Sequence, residues 1–239
     1  MKTLPKKSTR YKVRSTKTYL SLFSILFSLF SFSQEAQKDT TKVTQLKEVI
    51  VSSVRAKDKN PITYTNVAAA EIAPRNLGQD IPVLLNYLPS VVTTTDAGNG
   101  VGYTYMRVRG SDGSRINVTL NGVPFNDSES QGTFFVNLPD FASSLETVQL
   151  QRGVGTSTNG AGAFGASLNM QTKSFQETAY AEASNSVGSF NTRKHTLAFG
   201  TGLHNNFEMN ARILNIASDG FIDRASSNMF GYFFNANYI

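Results

Sequence analysis

Residues 145–173 read LETVQLQRGVGTSTNGAGAFGASLNMQTK, and the reading of this stretch decides the fold. Gly160, Gly162 and Gly165 spell G-x-G-x-x-G, the pattern of a dinucleotide-binding turn. Such a turn needs a strand directly before it and an amphipathic helix directly after it. Here the strand-like Thr147–Gln151 ends well before Gly160. After Phe164 the chain runs Ala166-Ser167-Leu168-Asn169-Met170-Gln171-Thr172, with Leu168 and Met170 alternating with polar residues. That is period two, the pattern of a half-buried strand and not of a helix. The stretch predicts strand, glycine-rich turn, strand, and argues against a nucleotide site.

The ends of the chain have their own logic. Lys2, Lys6, Lys7, Arg10, Lys12, Arg14 and Lys17 precede an uncharged run, Tyr19–Phe32, and Ser31 and Ser33 are small residues at positions −3 and −1 of a cut before Gln34. A basic start, a short apolar run and a small-x-small site make a secretory signal peptide over residues 1–33. A membrane-spanning helix needs about 20 apolar residues, so the run is short for an anchor. Removing residues 1–33 takes seven of the 23 basic residues and leaves 16 against 17 acidic ones. The sequence pI of about 9.5 therefore gives no support for nucleic-acid binding. The chain has no cysteine, which excludes disulfides, thiolate metal sites and a lipidated cysteine. His195 and His204 are isolated in sequence, and no nucleophile–base pair or metal-ligand cluster is evident. No catalytic residue, metal or cofactor is expected.

Residues 34–60 begin as a polar, charged tail free of aromatics. Within it Leu46, Lys47, Glu48, Val49, Ile50 and Val51, followed by Ser52-Ser53, form a β-branched island. It is either a first edge strand or a peptide built to add a strand to a partner's sheet. Asp80-Ile81-Pro82 predicts a helix start capped by Asp80. Ile81, Leu84, Leu85 and Leu88 then share one face, and Pro89 sets the end. Met106–Arg109, Ile116–Leu120 and Val148–Gln151 read as strands, with turn chemistry at Asn121–Pro124. Asp140 is expected to cap a short helix running to about Leu145. These elements predict a compact α+β unit over about residues 61–174.

From residue 175 to 239 the texture changes. Ala179–Ser186, Lys194–Gly200, Phe207–Ile216 and Met229–Tyr238 read as four strands. Phe207, Met209, Ala211 and Ile213 alternate with Glu208, Asn210 and Arg212, and Phe230, Tyr232, Phe234, Ala236 and Tyr238 share one face of the last segment. Segments of about ten residues with one apolar, aromatic face mark a transmembrane β-barrel. A soluble sandwich edge has the same period. The secretory signal and the aromatic load favour the barrel.

These residues together resemble the TonB-dependent receptors of bacterial outer membranes. Leu46–Ser53 looks like the TonB box of Bacteroidetes-type receptors. Ile81–Val92 is similar to the family's early plug helix with its following Pro-Ser-Val. Arg107-Val108-Arg109-Gly110 matches a strand ending in Arg-Gly, and Asn121-Gly122-Val123-Pro124 matches the Asp-Gly-x-Pro turn with Asn in place of Asp. Leu145–Lys173 matches the closing signature of the plug. Val154, Asn159 and Ala166 depart from the commoner Pro, Tyr and Gly.

The resemblance implies an α+β plug followed by the first antiparallel strands of a barrel that has about 22 strands in the complete family. It implies energised uptake of a scarce solute, with TonB, outer-membrane lipid and an extracellular small molecule as partners. It also implies plug-to-barrel anchors at Arg107, Arg109 and Arg152, each pairing with wall carboxylates. Ligand contacts are implied on two polar loops, Thr93–Thr104 with Asp96, Asn99 and Tyr103, and Asn126–Thr133 with Asp127 and Glu129. The residues alone leave the arginines as solvated strand ends and the acids as turn formers. A siderophore or other metal chelate is the lead solute; cobalamin, an oligosaccharide and a non-transporting receptor or signalling role are the alternatives. Four strands cannot close around a folded domain, so the chain is expected to be a fragment or a truncated reading frame.

Overall fold

The central strands form where period-two patterning is strongest. In the computed structural model, which describes residues 54–155, 164–173 and 176–238, Leu145–Arg152 (β6) pairs antiparallel with Ala166–Thr172 (β7). The two strands expected in the opening stretch are present and pair with each other. Gly160 and Gly162 lie outside the described residues. At Gly165 a Cβ would sit 2.6 Å from Ser111 Cβ and 2.9 Å from the Arg115 carbonyl oxygen, so close backbone packing explains this glycine.

The α+β unit is built around these two strands. Tyr64–Ala68 (β1), Ile116–Leu120 (β4) and Val123–Pro124 (β5) complete a five-stranded sheet in the order β1-β6-β7-β4-β5. The β4–β7 pair is parallel and the others are antiparallel. Asn121 (φ 50°) and Gly122 (φ 82°) turn β4 into β5, the primed geometry that suits a two-residue hairpin. Val148, Leu150, Leu168 and Met170 point from one face of the sheet into the core, each 1% exposed or less. The short helices Ala69–Ile72 (α1) and Ile81–Leu84 (α2) add Ile72, Ile81, Leu84, Leu85 and Leu88 to that core. A separate hairpin, Val91–Thr95 (β2) with Thr104–Val108 (β3), adds Val91, Met106 and Val108.

Four local expectations are corrected. The helix expected to run from Ile81 to Pro89 is a single turn, because after Leu84 the bonding tightens to Asn86 N–H onto Val83 O and Leu88 N–H onto Leu85 O. The apolar spacing still buries the right face. Asp80 makes no side-chain cap bond to this turn; its carboxylate instead accepts from Thr104 Oγ1 at 2.9 Å. Asp140 likewise caps nothing: it is left-handed (φ 48°) before a 3-10 turn, Phe141–Ser144. The polar loop expected over Thr93–Thr104 is shorter, since Thr93–Thr95 belong to β2 and Thr104 to β3.

The remaining strands, Tyr180–Gly188 (β8), Thr192–Gly200 (β9), Phe207–Ser218 (β10) and Ser227–Tyr238 (β11), form an antiparallel meander in the order β11-β10-β9-β8. The described residues lie in one compact unit, so this sheet packs directly on the α+β unit. Its polarity is inverted relative to a soluble sheet. Glu208, Asn210, Arg212 and Ser218 are buried, together with Leu214 and Ile216, on the face that meets the α+β unit. Phe230, Tyr232, Phe234 and Tyr238 are 61–82% exposed on the opposite face.

Candidate functional site

Asp140 is the residue on which the two layers meet. Pro139 and Phe141 flank it, and both touch the β11 strand. Pro139 Cγ lies 3.2 Å from the position a Cβ would take on Gly231, and Phe141 makes an edge contact with Phe233. The left-handed backbone at Asp140, a conformation that Asp tolerates better than most residues, turns its carboxylate toward the strands. Oδ1 accepts from Lys194 Nζ at 2.7 Å, from Asn76 Nδ2 at 2.7 Å and from Ser143 Oγ at 2.7 Å. Oδ2 faces Arg212 Nη1 at 3.7 Å, an ion pair without a hydrogen bond. The three charged side chains are 0–8% exposed. A cavity of about 440 Å³ beside them is lined by Asn76, Tyr180, Lys194, Asn210, Arg212 and Asn235, among others.

A second buried acid lies on the wall itself. Glu208 accepts from the Gln176 backbone N–H at 3.0 Å, from Asn237 Nδ2 at 2.7 Å and from Asn210 Nδ2. Its charge is thus met by neutral donors, which is the minimum a buried carboxylate requires.

At one end of the wall, the loop between β2 and β3 meets the β10–β11 turn. Phe221 N–H donates to Ala97 O at 2.8 Å and Asn99 Nδ2 donates to Ser218 Oγ at 2.6 Å. Asp96 accepts from Tyr105 Oη at 3.1 Å, and Tyr103 is 53% exposed. Asp96, Asn99 and Tyr103 therefore share one loop. Asp127 and Glu129 lie on another, where Asp127 Oδ1 accepts from the backbone N–H of Glu129 and Ser130 and from Ser130 Oγ. The Ser130 bonds hold the Asp127 carboxyl below its usual pKa.

The arginines behave differently from one another. Arg107 and Arg109 are exposed. Arg152 is buried, and its Nε donates to Pro89 O at 3.0 Å and its Nη2 to Thr65 Oγ1 at 2.6 Å. Burial, and then the neighbouring Arg109, push its pKa down. It fastens strand to loop inside the α+β unit. Among the described residues, both ion pairs that cross between the layers run from Asp140 to wall cations. Sequence reasoning missed this reversed polarity. The signal available was Arg212, which shares its strand face with the buried Leu214 and Ile216.

Asp80 is 2% exposed, its Oδ1 has no partner, and burial raises its pKa to about 7 from 3.8. The folded chain holds this proton more tightly than the unfolded chain. Stability from this group is therefore full below about pH 3.8 and is lost as pH rises toward about 7. Asp80→Asn should remove that loss, leaving the variant on the order of 4 kcal/mol more stable than the parent at pH 8 and close to level with it near pH 4. Amide exchange across residues 80–104, corrected for its intrinsic pH dependence, measures it. Identical pH profiles for the two proteins would count against the buried carboxylate as the cause.

A family model described as the TonB-dependent receptor plug domain matches residues 56–167. These residues belong to the TonB-dependent receptor plug domain family. No curated protein sequence matches the chain. Among solved structures, FpvA of Pseudomonas aeruginosa, in an iron complex with a heterologous pyoverdine, is 15% identical with a TM-score of 0.62, over 76% of this chain and 23% of that one. The ferric yersiniabactin uptake receptor FyuA of Yersinia pestis is 15% identical with a TM-score of 0.55, over 74% and 28%. The ferric-catecholate import receptor Fiu of E. coli K12 is 18% identical with a TM-score of 0.56, over 74% and 24%. At these identities the likeness is one of fold. The chain spans about a quarter of the length of these receptors. The expected architecture, a plug followed by antiparallel strands, is the observed one, and the four strands form an open sheet. Leu46–Val51, expected from the sequence to be a TonB box, lie outside the described residues.

Proposed function

We propose that this chain supplies the plug and first wall strands of an outer-membrane transporter that takes up a scarce solute with energy delivered through TonB. The observation that carries the reading is the inverted polarity of the β8–β11 sheet. A soluble sandwich hides its aromatic face; here the aromatic face is open and the polar face is packed on the plug. Such a sheet suits lipid outside and a plug inside. Leu46, Lys47, Glu48, Val49, Ile50 and Val51 are proposed as the segment that TonB takes by strand addition.

The solved receptors that share the fold carry iron chelates in their descriptions, which makes a siderophore or other metal chelate the lead solute. Asp96, Asn99 and Tyr103, on the loop that meets the β10–β11 turn, are the first proposed contacts, and Asp127 and Glu129 the second. Arg107 and Arg109 are the proposed additional anchors to the wall, whereas Arg152 is committed to partners within the plug. Uptake of a panel of iron-55 chelates by iron-limited cells tests the function. Accumulation should require both this receptor and TonB. Uptake that persists at full rate in a TonB deletion sinks the reading.

A further inference from the structure

The open face of the β8–β11 sheet changes chemistry along its length. Cross-strand register sorts its outward residues into rows. Ala183, Leu197, Ile213 and Tyr232 make one apolar row, and Ala181, Phe199, Ala211 and Phe234 the next. From Tyr238 up to Phe230 the apolar band runs about 27 Å, at roughly 3.4 Å per residue. At a tilt of about 40° it stands about 20 Å tall, near the apolar band of a spanning barrel. Then the face turns polar. Asn185, His195 and Asn215 share a row with Phe230. Val187, Arg193, Ala217 and Asn228 make the row beyond it. This polar edge lies toward the β10–β11 turn, the end where Asn99 of the plug loop bonds to Ser218.

The hydrogen bonds within this edge leave donors facing out. His195 Nδ1 and Asn185 Oδ1 are 2.7 Å apart, and Asn215 Nδ2 donates to Asn228 Oδ1 at 3.1 Å. Both asparagine oxygens are taken, while the Asn185 and Asn228 amide N–H groups have no partner among the described residues. Arg193, exposed on β9, makes no ion pair among the described residues. Its cross-strand neighbours are Val187 and Ala217, which give its stem apolar surface and its head no counter-charge. The outward face of the four strands carries no Asp or Glu.

We infer, on the outer-membrane reading above, that Arg193 and the Asn185 and Asn228 amides take the phosphate-bearing headgroup of an outer-leaflet lipid. The site stands where the apolar band ends, the depth at which a bilayer changes from acyl chain to headgroup. A guanidinium matches a phosphate through paired N–H donors. Asn228 is two strands away from Arg193, about 10 Å at roughly 4.8 Å per strand. That spread suits a headgroup with several polar oxygens better than one small ion. Phe230 and Val187, 69% and 85% exposed, flank the donors and offer acyl chains a surface beside the charge. A free anion gains nothing from those two side chains, which favours a lipid as the occupant.

The test uses the full receptor, purified in a neutral detergent. Native mass spectrometry follows its binding of diphosphorylated lipid A, with the same lipid stripped of phosphate and with inorganic phosphate as comparisons. The parent should bind the phosphorylated lipid at least about fivefold more tightly than the stripped one. Arg193→Gln should remove that preference, weakening the phosphorylated lipid about fivefold and leaving the stripped lipid unchanged. Asn185→Ala should weaken the phosphorylated lipid about threefold. Lys59→Gln, which removes an exposed cation from the plug, should change neither affinity. Equal affinity of the parent for both lipids, or a preference that survives in Arg193→Gln, overturns the site. Displacement of the lipid by inorganic phosphate makes this a site for a free anion and overturns the lipid as its occupant. Receptor dimers in place of lipid adducts put a second copy on the face and overturn it as well. Each of these results leaves the outer-membrane reading standing. A receptor that stays soluble without detergent and binds neither lipid overturns both.

Discussion

Asp140→Asn should loosen the plug from the wall by about 3–5 kcal/mol, the cost of removing one partner from a buried ion pair. Asparagine keeps the size and the tolerance for the left-handed backbone at this position, so the change isolates the charge. It leaves Lys194 and Arg212 as two buried cations, 6% and 8% exposed in their side chains, without a counter-charge. The cost should depend little on salt, because a buried pair is weakly screened. Amide exchange of residues 139–144 should accelerate by a factor of at least about a hundred, since each 1.4 kcal/mol is tenfold. Adding Lys194→Met to Asp140→Asn should recover part of the loss, because Lys194 leaves with the acid while Arg212 stays without a counter-charge. If the double variant is no better than the single one, the ion pair is not what fastens this contact.

Ile50→Pro should reduce solute uptake to background while leaving solute binding at the cell surface intact. Strand addition depends on backbone N–H groups of the incoming segment. Proline removes one of these and fixes φ, so the ladder is interrupted at its centre. Ile50→Val, which preserves the β-branched side chain and the donor, should transport normally. Binding and transport are measured on the same cells, at low temperature for binding and with an energised membrane for uptake. Unchanged uptake in Ile50→Pro removes Leu46–Val51 as the energy-coupling segment.

The two-stranded reading of residues 145–173 was legible because alternation in Leu168 and Met170 reports a face that is buried in every context this sheet offers. The four wall strands were legible for the same reason: Phe230, Tyr232, Phe234 and Tyr238 repeat at period two, and so do Glu208, Asn210 and Arg212. Capping was less legible. Asp80 and Asp140 each precede a short apolar helix-like run, and local propensity assigns both to caps. Tertiary partners won in each case. Thr104 from the facing hairpin takes the Asp80 carboxylate, and Lys194 from the wall takes that of Asp140. At Asp140, a charged donor at 2.7 Å is a stronger partner than a backbone N–H at a helix end.

By itself, the sequence determined the period of each strand, the order of plug before wall, and which wall face is aromatic. Those are properties of neighbours one to four residues apart, and local sterics and burial write them into the chain. The tertiary structure alone decided which charge faces which. Asp140 and Lys194 are 54 residues apart, and Gln149 and Ala56 are 93 apart. No periodicity spans such distances. Pairing at that range is settled only when the packed layers exclude water and leave each buried polar atom to find a partner within about 3 Å.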